Sequence, residues 1–295
     1  MSTRRRWALG AALLLLLSTP VDAHAAAIKP GSACASQGAR VLRGHTHYRC
    51  ERRGKRLQWW SVTAPRVAPS RLSGSITVFA AASLTEAFTA LAAAFHTVNP
   101  RTHVAFSFAG SPALAQQIDN GAPADVFASA SNANMQQVID AGAARTAVPF
   151  ARNRMIVVTP PGNPAHVRGV ADLADPAVKV AICQAQVPCG VTAAAVFAAA
   201  GVQVTPVTYE PDVKSVLTKV ELGEVDAGIV YVSDARAARS RVEALPIPKD
   251  RNALTTYPIA RLRASAQPQV AQAFIDFVLS DKGAAALAAA GFTVL

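Results

Sequence analysis

Small hydroxyl side chains and tight turns stand where three strand-like segments run into helix-like ones. Ser83 follows the apolar run Ile76–Phe79, Ser111 follows Val104–Phe108, and the turn Val187–Thr192 follows a third apolar run. Backbone N–H groups at a helix start have no partner within the helix, and hydroxyl groups add further donors. Because none of these turns contains Lys or Arg, the pattern predicts a site that binds a tetrahedral oxyanion through neutral donors.

The first of these turns is also a helix-capping sequence. Ser83, followed by Glu86 three residues later, has the spacing of a capping box, which predicts that Ser83 is the N-cap of the next helix. Tyr231 ends another apolar run, just before a helix that Ser233 or Asp234 would cap. A tyrosine in this place is either half-buried in the core or directs its phenol into the cleft as a further donor.

The usual catalytic motifs are not found in the sequence. Ser83, Ser111 and Ser129 lie outside any Gly-x-Ser-x-Gly elbow, and there is no P-loop, no Gly-x-Gly-x-x-Gly helix start and no Cys-x-x-Cys pair. A secreted hydrolase with Ser83 or Ser111 as nucleophile remains an alternative. It requires a histidine within reach of one of these serines. The main body of the chain offers His96, His103 and His166.

From Ser75 onward, strand-like and helix-like segments alternate, which predicts an α/β fold with a mostly parallel sheet covered on both faces. In such sheets, ligands bind beyond the carboxyl ends of the strands, where the three helix starts would converge. Strands are predicted at 76–79, 104–108, 125–128, 154–159, 178–182, 204–209, 227–231 and 257–262. Helices are predicted at 83–97, 111–118, 131–141, 192–200, 212–222, 233–239 and 267–290.

The chain begins with a predicted export signal at residues 1–27. Three arginines precede the apolar run Ala8–Leu17, which is too short to span a bilayer, and small residues then predict cleavage near Ala25 or Ala27. Because no cysteine directly follows the apolar run, a lipid anchor is not predicted. The protein is therefore expected in the periplasm or the extracytoplasmic cell envelope.

The net charge of +11 belongs to the beginning of the chain. Residues 1–71 contain 13 lysines and arginines against 2 acidic residues, whereas residues 72–295 contain 16 of each. A neutral main body does not predict nucleic-acid binding.

Four cysteines in an exported protein predict two disulfides. Their positions suggest local pairs, Cys34 with Cys50 and Cys183 with Cys189. The first bridge would staple a unit that is too small to be stable through its core alone.

That small unit is a predicted β-hairpin module at 28–66, followed by a linker at 67–73. A solvated basic hairpin is the simplest interpretation, and contact of its arginines, Trp59 and Trp60 with an anionic envelope surface is an alternative. A metal site formed by Cys34, His45, His47 and Cys50 is another alternative. The His-x-His spacing and the oxidising compartment argue against it.

Eight short motifs follow one another along the main body. They are Ile76-Thr-Val-Phe-Ala-Ala-Ala-Ser-Leu-Thr, Phe108-Ala-Gly-Ser-Pro-Ala-Leu-Ala-Gln-Gln-Ile, Gly121-Ala-Pro-Ala-Asp-Val-Phe-Ala-Ser-Ala, Val187-Pro-Cys-Gly, Asp212-Val-Lys, Gly228-Ile-Val-Tyr-Val-Ser-Asp-Ala, Tyr257-Pro-Ile and Gly291-Phe-Thr-Val. Through these motifs, residues 74–295 resemble the periplasmic molybdate-binding proteins of bacterial ABC-type uptake systems. Each motif is modest alone, and their order makes the resemblance specific. The module at 28–66 lies outside the family pattern.

The resemblance implies a two-lobed periplasmic-binding-protein fold of the Venus-flytrap type (class II), which clamps an anion between its lobes. Lobe 1 is expected at 74–152 and 244–295, and lobe 2 at 153–243. Two crossings of the chain, near residues 152–154 and 244–248, would act as the hinge between them.

The resemblance also implies a set of ligand residues. By motif, Ser83 and Ser111 correspond to the family's two serine ligands, which donate hydroxyl and backbone N–H groups. Cys189 stands where the family often has alanine and should offer its backbone N–H, as should Val213. Tyr231 corresponds to the phenol donor.

The implied function is capture of molybdate, with tungstate as a second ligand, and delivery to an ABC permease and its ATPase. The resemblance implies a monomer that is not an enzyme, with no cofactor and no metal beyond the oxyanion. A receptor for sulfate or another tetrahedral oxyanion is the alternative within the binding class. A protonated phosphate would need an acceptor in the site, and no motif supplies one.

Overall fold

The computed structural model describes residues 28–43, 46–62 and 72–295 of the chain. The chain forms two compact units, residues 1–68 and 69–295. The predicted export signal and residues 67–71 of the predicted linker lie outside the described residues. Among the helices of the described ranges, none has both the length and the apolar character needed to cross a bilayer.

The first unit is a three-stranded antiparallel sheet. Its strands, in spatial order, are β1 Arg40–Arg43, β2 Thr46–Arg53 and β3 Arg56–Val62. A disulfide joins Cys34 to the fully buried Cys50, with 5.9 Å between their Cα atoms. Because a zinc-type site needs free thiolates, the alternative of a metal site at these cysteines is wrong. His45, another member of that alternative, lies outside the described residues.

The second unit contains a ten-stranded mixed sheet with eight α-helices in the described ranges. Its strands are β4 Gly74–Ala81, β5 Thr102–Ala109, β6 Val126–Ala128, β7 Val148–Thr159, β8 Val180–Cys183, β9 Thr208–Glu210, β10 Ala227–Tyr231, β11 Glu243–Pro246, β12 Leu254–Arg261 and β13 Thr293–Val294. Its helices are α1 Thr85–Val98, α2 Ser111–Asp119, α3 Asn132–Asp140, α4 Pro188–Ala200, α5 Val213–Glu221, α6 Val232–Ala238, α7 Pro268–Val278 and α8 Asp281–Ala289.

The two ends of this sheet are parallel, and its centre is antiparallel. β4 pairs with β5 and β6 in parallel, and β8 pairs in parallel with β9 and β10. The long strands β7 and β12 run antiparallel to each other and to the neighbouring strands β10 and β6. The α/β class is as predicted, and the parallel pairing is confined to each end. The chain passes from the β4–β6 end to the β8–β10 end through β7 and returns through β12. Because these two strands run in opposite directions, their pairing is antiparallel.

Buried apolar side chains form separate cores at the two ends of the sheet. At the β8–β10 end, Val216 and Ile229 are fully buried, and Ile247 packs in the same core. At the β4–β6 end, the rings of Phe88 and Phe274 lie edge to face with 6.1 Å between their centroids. Burying each such side chain contributes about 1.5–3 kcal/mol. Separate cores at the two ends, joined by two long strands, are what a two-lobed protein requires.

Several helix boundaries differ from the prediction. The segment predicted as one helix at 267–290 is two helices, because Ser280 is the N-cap of α8 and its hydroxyl accepts a hydrogen bond from the Gly283 N–H. A Cβ atom at Gly283 would lie 2.1 Å from the carbonyl oxygen of Val278, so the chain turns closely there. α4 begins at Pro188 and not at residue 192, since proline is favourable in the first turn of a helix.

Candidate functional site

The five predicted ligand residues line a single cavity, and about 210 Å³ of space in and at the mouth of this cavity, open solvent included, is free of protein atoms. These residues are Ser83, Ser111, Cys189, Val213 and Tyr231. They stand at or just after the carboxyl ends of β4, β5, β8, β9 and β10. Sheets of this kind bind ligands at that edge. The remaining lining residues are Ala81, Ala82, Ala109, Gly110, Ala130, Val187, Pro188 and Asp212. Among the residues that the structure describes, no lysine, arginine or histidine lines this cavity.

Ser111 is the first residue of α2, and its hydroxyl is set up as a donor. Gly110 is the N-cap, and the helix begins at residue 111 as predicted. The Ser111 Oγ atom is buried and accepts a hydrogen bond of 3.0 Å from the Ala130 N–H. Within the described ranges, its own hydrogen has no acceptor. It is therefore available to a ligand in the cavity.

Ser83 is not the N-cap of α1, and the predicted capping box is wrong. Ser83 lies in a 3₁₀ turn, Ala82–Leu84, and α1 begins only at Thr85 without a side-chain cap. The extra turn moves Ser83 away from the free N–H groups of α1. Its Oγ atom instead lies 2.8 Å from the Tyr257 hydroxyl, and Glu86 binds a lysine.

Tyr231 ends β10 and is the N-cap residue of α6. Its side chain is 1% exposed, and its hydroxyl makes no hydrogen bond of good geometry to any residue in the described part of the chain. Burial raises the pKa of this phenol, while the nearby hydroxyls of Thr192 and Thr255 lower it less. The phenol is therefore neutral and keeps its hydrogen. A buried hydroxyl on a cavity wall that has no protein partner is available as a donor to a ligand.

Cys189 and Val213 bring backbone N–H groups to the same cavity. Cys189 lies in the first turn of α4, and Val213 is the first residue of α5. N–H groups in the first turn have no acceptor within their helix. Asp212 caps α5, with its Oδ1 atom accepting a hydrogen bond of 3.0 Å from the Ser215 N–H. Its carboxylate is thereby engaged by the helix.

A second disulfide fixes the turn that carries Cys189. Cys183 at the end of β8 is joined to Cys189, with 5.7 Å between their Cα atoms. The turn is packed so closely that a Cβ atom at Gly190 would lie 2.0 Å from the carbonyl oxygen of Gln184. The N–H groups at the start of α4 are therefore held rigidly.

Replacing both Cys183 and Cys189 by alanine is expected to lower the free energy of unfolding by about 2–3 kcal/mol, because the short loop is no longer closed in the unfolded chain. It should also weaken anion binding, because the turn must then be ordered on binding. Denaturant unfolding and calorimetric titration measure the two effects. The matched control replaces Cys34 and Cys50, which should leave the affinity unchanged. Equal affinity of both variants would show that the bridge at Cys189 does not prepare the site.

Contacts around the cavity join residues from the two expected lobes. The Lys214 Nζ atom lies 2.7 Å from Glu86 Oε2 and 3.1 Å from Oδ1 of the fully buried Asp234. Asp234 Oδ2 accepts a hydrogen bond of 3.2 Å from the Tyr231 N–H. Burial raises the pKa of Asp234 to about 6, and Lys214 limits the increase. No local sequence pattern indicates this ion pair, because Glu86 and Lys214 are 128 residues apart.

Gly110 also makes a contact between the two expected lobes. A Cβ atom there would lie 2.5 Å from the carbonyl oxygen of Pro211, which belongs to the other expected lobe. The Gly110 backbone, with φ −59° and ψ 135°, is open to any residue. The glycine is therefore needed for the close approach and not for its backbone conformation.

Replacing Gly110 by alanine is expected to weaken anion binding by about 1–3 kcal/mol, because the added methyl group keeps the two sides of the cavity apart. Stability of the ligand-free protein should change little, since separation of the lobes relieves the clash. Calorimetry gives the affinity, and small-angle scattering should show compaction on ligand addition in the wild type only. Gly169→Ala is the control, because its Cβ atom meets open space. Wild-type affinity and compaction in Gly110→Ala would argue against closure at this contact.

Comparison with known proteins places the chain in a family. Its sequence matches the bacterial extracellular solute-binding proteins over residues 76–293. It is 42% identical over 225 residues to the molybdate-binding protein ModA of Mycobacterium tuberculosis H37Rv. The aligned region covers 76% of this chain and 86% of that protein.

Solved structures with the same fold include the periplasmic molybdate-binding protein of Azotobacter vinelandii, with a TM-score of 0.67, 21% identity and coverage of 75% of this chain and 99% of that one. The sulfate-binding protein SubI of M. tuberculosis H37Rv has a TM-score of 0.64 and 19% identity, over 74% of this chain and 86% of that one. These neighbours confirm the predicted periplasmic-binding-protein fold. From the family match and the 42% identity, the chain belongs to the bacterial extracellular solute-binding proteins.

Proposed function

We propose that the protein captures molybdate in the cavity at the carboxyl ends of its strands and delivers it to an ABC permease with its ATPase. The observation that carries the proposal is the convergence of five neutral donor residues on one cavity, which no basic side chain of the described residues lines. These donors are Ser83, Ser111, Cys189, Val213 and Tyr231. The 42% identity to a protein named for molybdate binding supports the choice of anion.

The chemistry of these donors suits a fully deprotonated tetrahedral anion. Hydrogen bonds to a charged acceptor are about twice as strong as those between neutral groups, so neutral donors suffice. The Tyr231 phenol, which lacks a partner of its own, gains one when the anion is present. Tungstate has the same charge and shape, and we expect it to bind as a second ligand.

The fold alone does not choose between molybdate and sulfate, since binding proteins named for each have similar TM-scores. The choice is tested by titrating the purified protein with molybdate, tungstate, sulfate and phosphate while following the melting temperature. At a ligand concentration 100 times the Kd, binding stabilises the folded state by about 2.7 kcal/mol. A shift with sulfate and none with molybdate would overturn the proposal in favour of a sulfate receptor.

The proposal assigns binding and no catalysis to this cavity. Ser83 contacts a tyrosine and Ser111 a backbone N–H, so neither described serine has a histidine as its partner. The Nδ1 atom of His96 is engaged by the carbonyl oxygen of Thr102. A serine-directed fluorophosphonate should therefore leave the protein unlabelled. Labelling at either serine would revive the hydrolase alternative.

We further propose that the protein acts as an exported monomer. Its first lobe would comprise residues 74–152 and 244–295, and its second lobe residues 153–243.

In the first unit, Arg40, Arg49 and Trp60 stand opposite one another on adjacent strands, and the Arg53 guanidinium lies 4.6 Å from the centre of the Trp60 ring. This basic sheet face is suited to weak contact with an anionic envelope surface. Salt-sensitive sedimentation with anionic vesicles tests that contact, and equal sedimentation with neutral vesicles would contradict it.

A further inference from the structure

A chain of buried polar groups contacts Ser83, and none of its members lines the cavity. It consists of Asn153 on β7, Ser233 on α6 and Tyr257 on β12, which are 1%, 5% and 0% exposed. Because buried polar groups without partners are costly, such chains have defined donor and acceptor directions. These directions determine where the Ser83 hydroxyl hydrogen points.

The amide of Asn153 sets the first direction. Its Oδ1 atom accepts a hydrogen bond of 3.0 Å from the Arg154 N–H, so its Nδ2 atom faces the other way. Nδ2 donates to Ser233 Oγ over 2.8 Å. Ser233 is left with its own hydrogen, which it directs over 3.5 Å to the carbonyl oxygen of Ser83. Ser83 is therefore held from its backbone side.

Tyr257 sets the second direction. Its hydroxyl lies 2.8 Å from Ser83 Oγ. Aromatic rings surround the phenol, with centroids 6.3, 6.2 and 5.3 Å away at Phe150, Tyr231 and Phe292. Burial raises the pKa of Tyr257, so the phenol is neutral and keeps its hydrogen. Within the described residues, Ser83 Oγ is the one hydrogen-bond partner of this buried hydroxyl, so the phenol hydrogen has an acceptor only when Tyr257 donates to Ser83.

We propose that Tyr257 is a positioning residue that makes Ser83 a donor only. By donating to Ser83 Oγ, it leaves the serine hydrogen free to point at the bound anion. The Ala130 N–H imposes the same arrangement on Ser111. The two serines then present hydroxyl hydrogens to the cavity and no free hydroxyl acceptor, which favours deprotonated dianions over oxyanions that carry a proton. This inference rests on the proposed function, since it concerns the same site.

A double-mutant cycle tests the role of Tyr257. Tyr257→Phe keeps the ring and its packing and removes only the hydroxyl, and it should weaken molybdate binding roughly tenfold, the size of one hydrogen bond to a charged acceptor. The same change in a Ser83→Ala background should have no effect, because the group through which Tyr257 acts is gone. An equal loss in both backgrounds would show a merely structural role and overturn the proposal, as would no loss in the wild-type background. Tyr209→Phe, at an exposed tyrosine, is the control.

Anion selectivity gives a second readout that packing alone would not change. Without the Tyr257 hydroxyl, Ser83 is free to rotate and accept a hydrogen bond from hydrogen phosphate. The ratio of phosphate to molybdate affinity should therefore rise in Tyr257→Phe. An unchanged ratio would overturn the selectivity part of the proposal. If the wild type binds sulfate and not molybdate, the proposed function fails, and the same cycle with sulfate still decides the role of Tyr257.

Discussion

Replacing Lys214 by methionine is expected to lower the free energy of unfolding by about 3 kcal/mol. The Lys214 Nζ atom lies 3.1 Å from Asp234, whose side chain is fully buried, so the variant leaves a buried carboxylate without its counter-charge. Denaturant unfolding of the ligand-free protein at pH 8 measures the loss. Lys219→Met is the matched control on the same helix. Lys219 pairs at 2.9 Å with the half-exposed Glu224, and loss of an exposed pair should lower the free energy of unfolding much less.

The loss at Lys214 should depend on pH in a defined direction. Burial raises the pKa of Asp234 in the folded protein to about 6, above its ordinary value of 3.8. Asp234 therefore takes up its proton more readily in the folded state than in the unfolded state. As the pH falls through 6, the carboxylate becomes neutral and no longer needs the lysine. The difference between wild type and Lys214→Met should be largest at pH 8 and shrink toward pH 5. A constant difference would show that packing of the lysine stem, and not its charge, is responsible.

Replacing Ser111 by alanine is expected to weaken molybdate binding by about 1.5–3 kcal/mol, the value of a hydrogen bond to a charged acceptor. The same change leaves the Ala130 N–H without its acceptor, which should lower the free energy of unfolding by about 1–3 kcal/mol. Calorimetry and denaturant unfolding separate the two effects.

Ser129→Ala is the matched control for Ser111. The Ser129 side chain is fully buried and bonded to the backbone of Ser131, but it does not line the cavity. It should lower stability by a similar amount and leave the affinity unchanged. Unchanged affinity in Ser111→Ala would remove Ser111 from the site.

The sequence predicted the elements better than the contacts between them. Strands and helices follow from local patterns, so the predictions bring Ser111 and Val213 to the starts of helices. The helix at Cys189 begins at Pro188, four residues before its predicted start, so Cys189 lies within its first turn. The Ser83 cap failed, because the local spacing with Glu86 was overridden by contacts with Tyr257 and Lys214. Tyr257 lies 174 residues from Ser83, and Lys214 lies 128 residues from Glu86, so no local sequence pattern indicates either contact.

The antiparallel centre of the sheet was missed for a related reason. Residues Val148–Thr159 contain little more than a short apolar run, and their full length as β7 follows from pairing with β12, β10, β11 and β13. Pairing partners distributed over the last third of the chain are not visible in the pattern of β7 itself. The buried polar chain that contacts Ser83 is positioned by this antiparallel centre, because Asn153 lies on β7 and Tyr257 on β12.

The disulfide between Cys183 and Cys189 makes the final shape of the cavity depend on the redox state of the compartment in which the chain folds. Thiols stay reduced in the bacterial cytosol and are oxidised outside it. In an exported chain, the turn at the start of α4 would therefore be locked only after translocation, and the precursor would carry a looser cavity. Anion held by newly made protein would then come from the extracytoplasmic supply and not from the cell's own store.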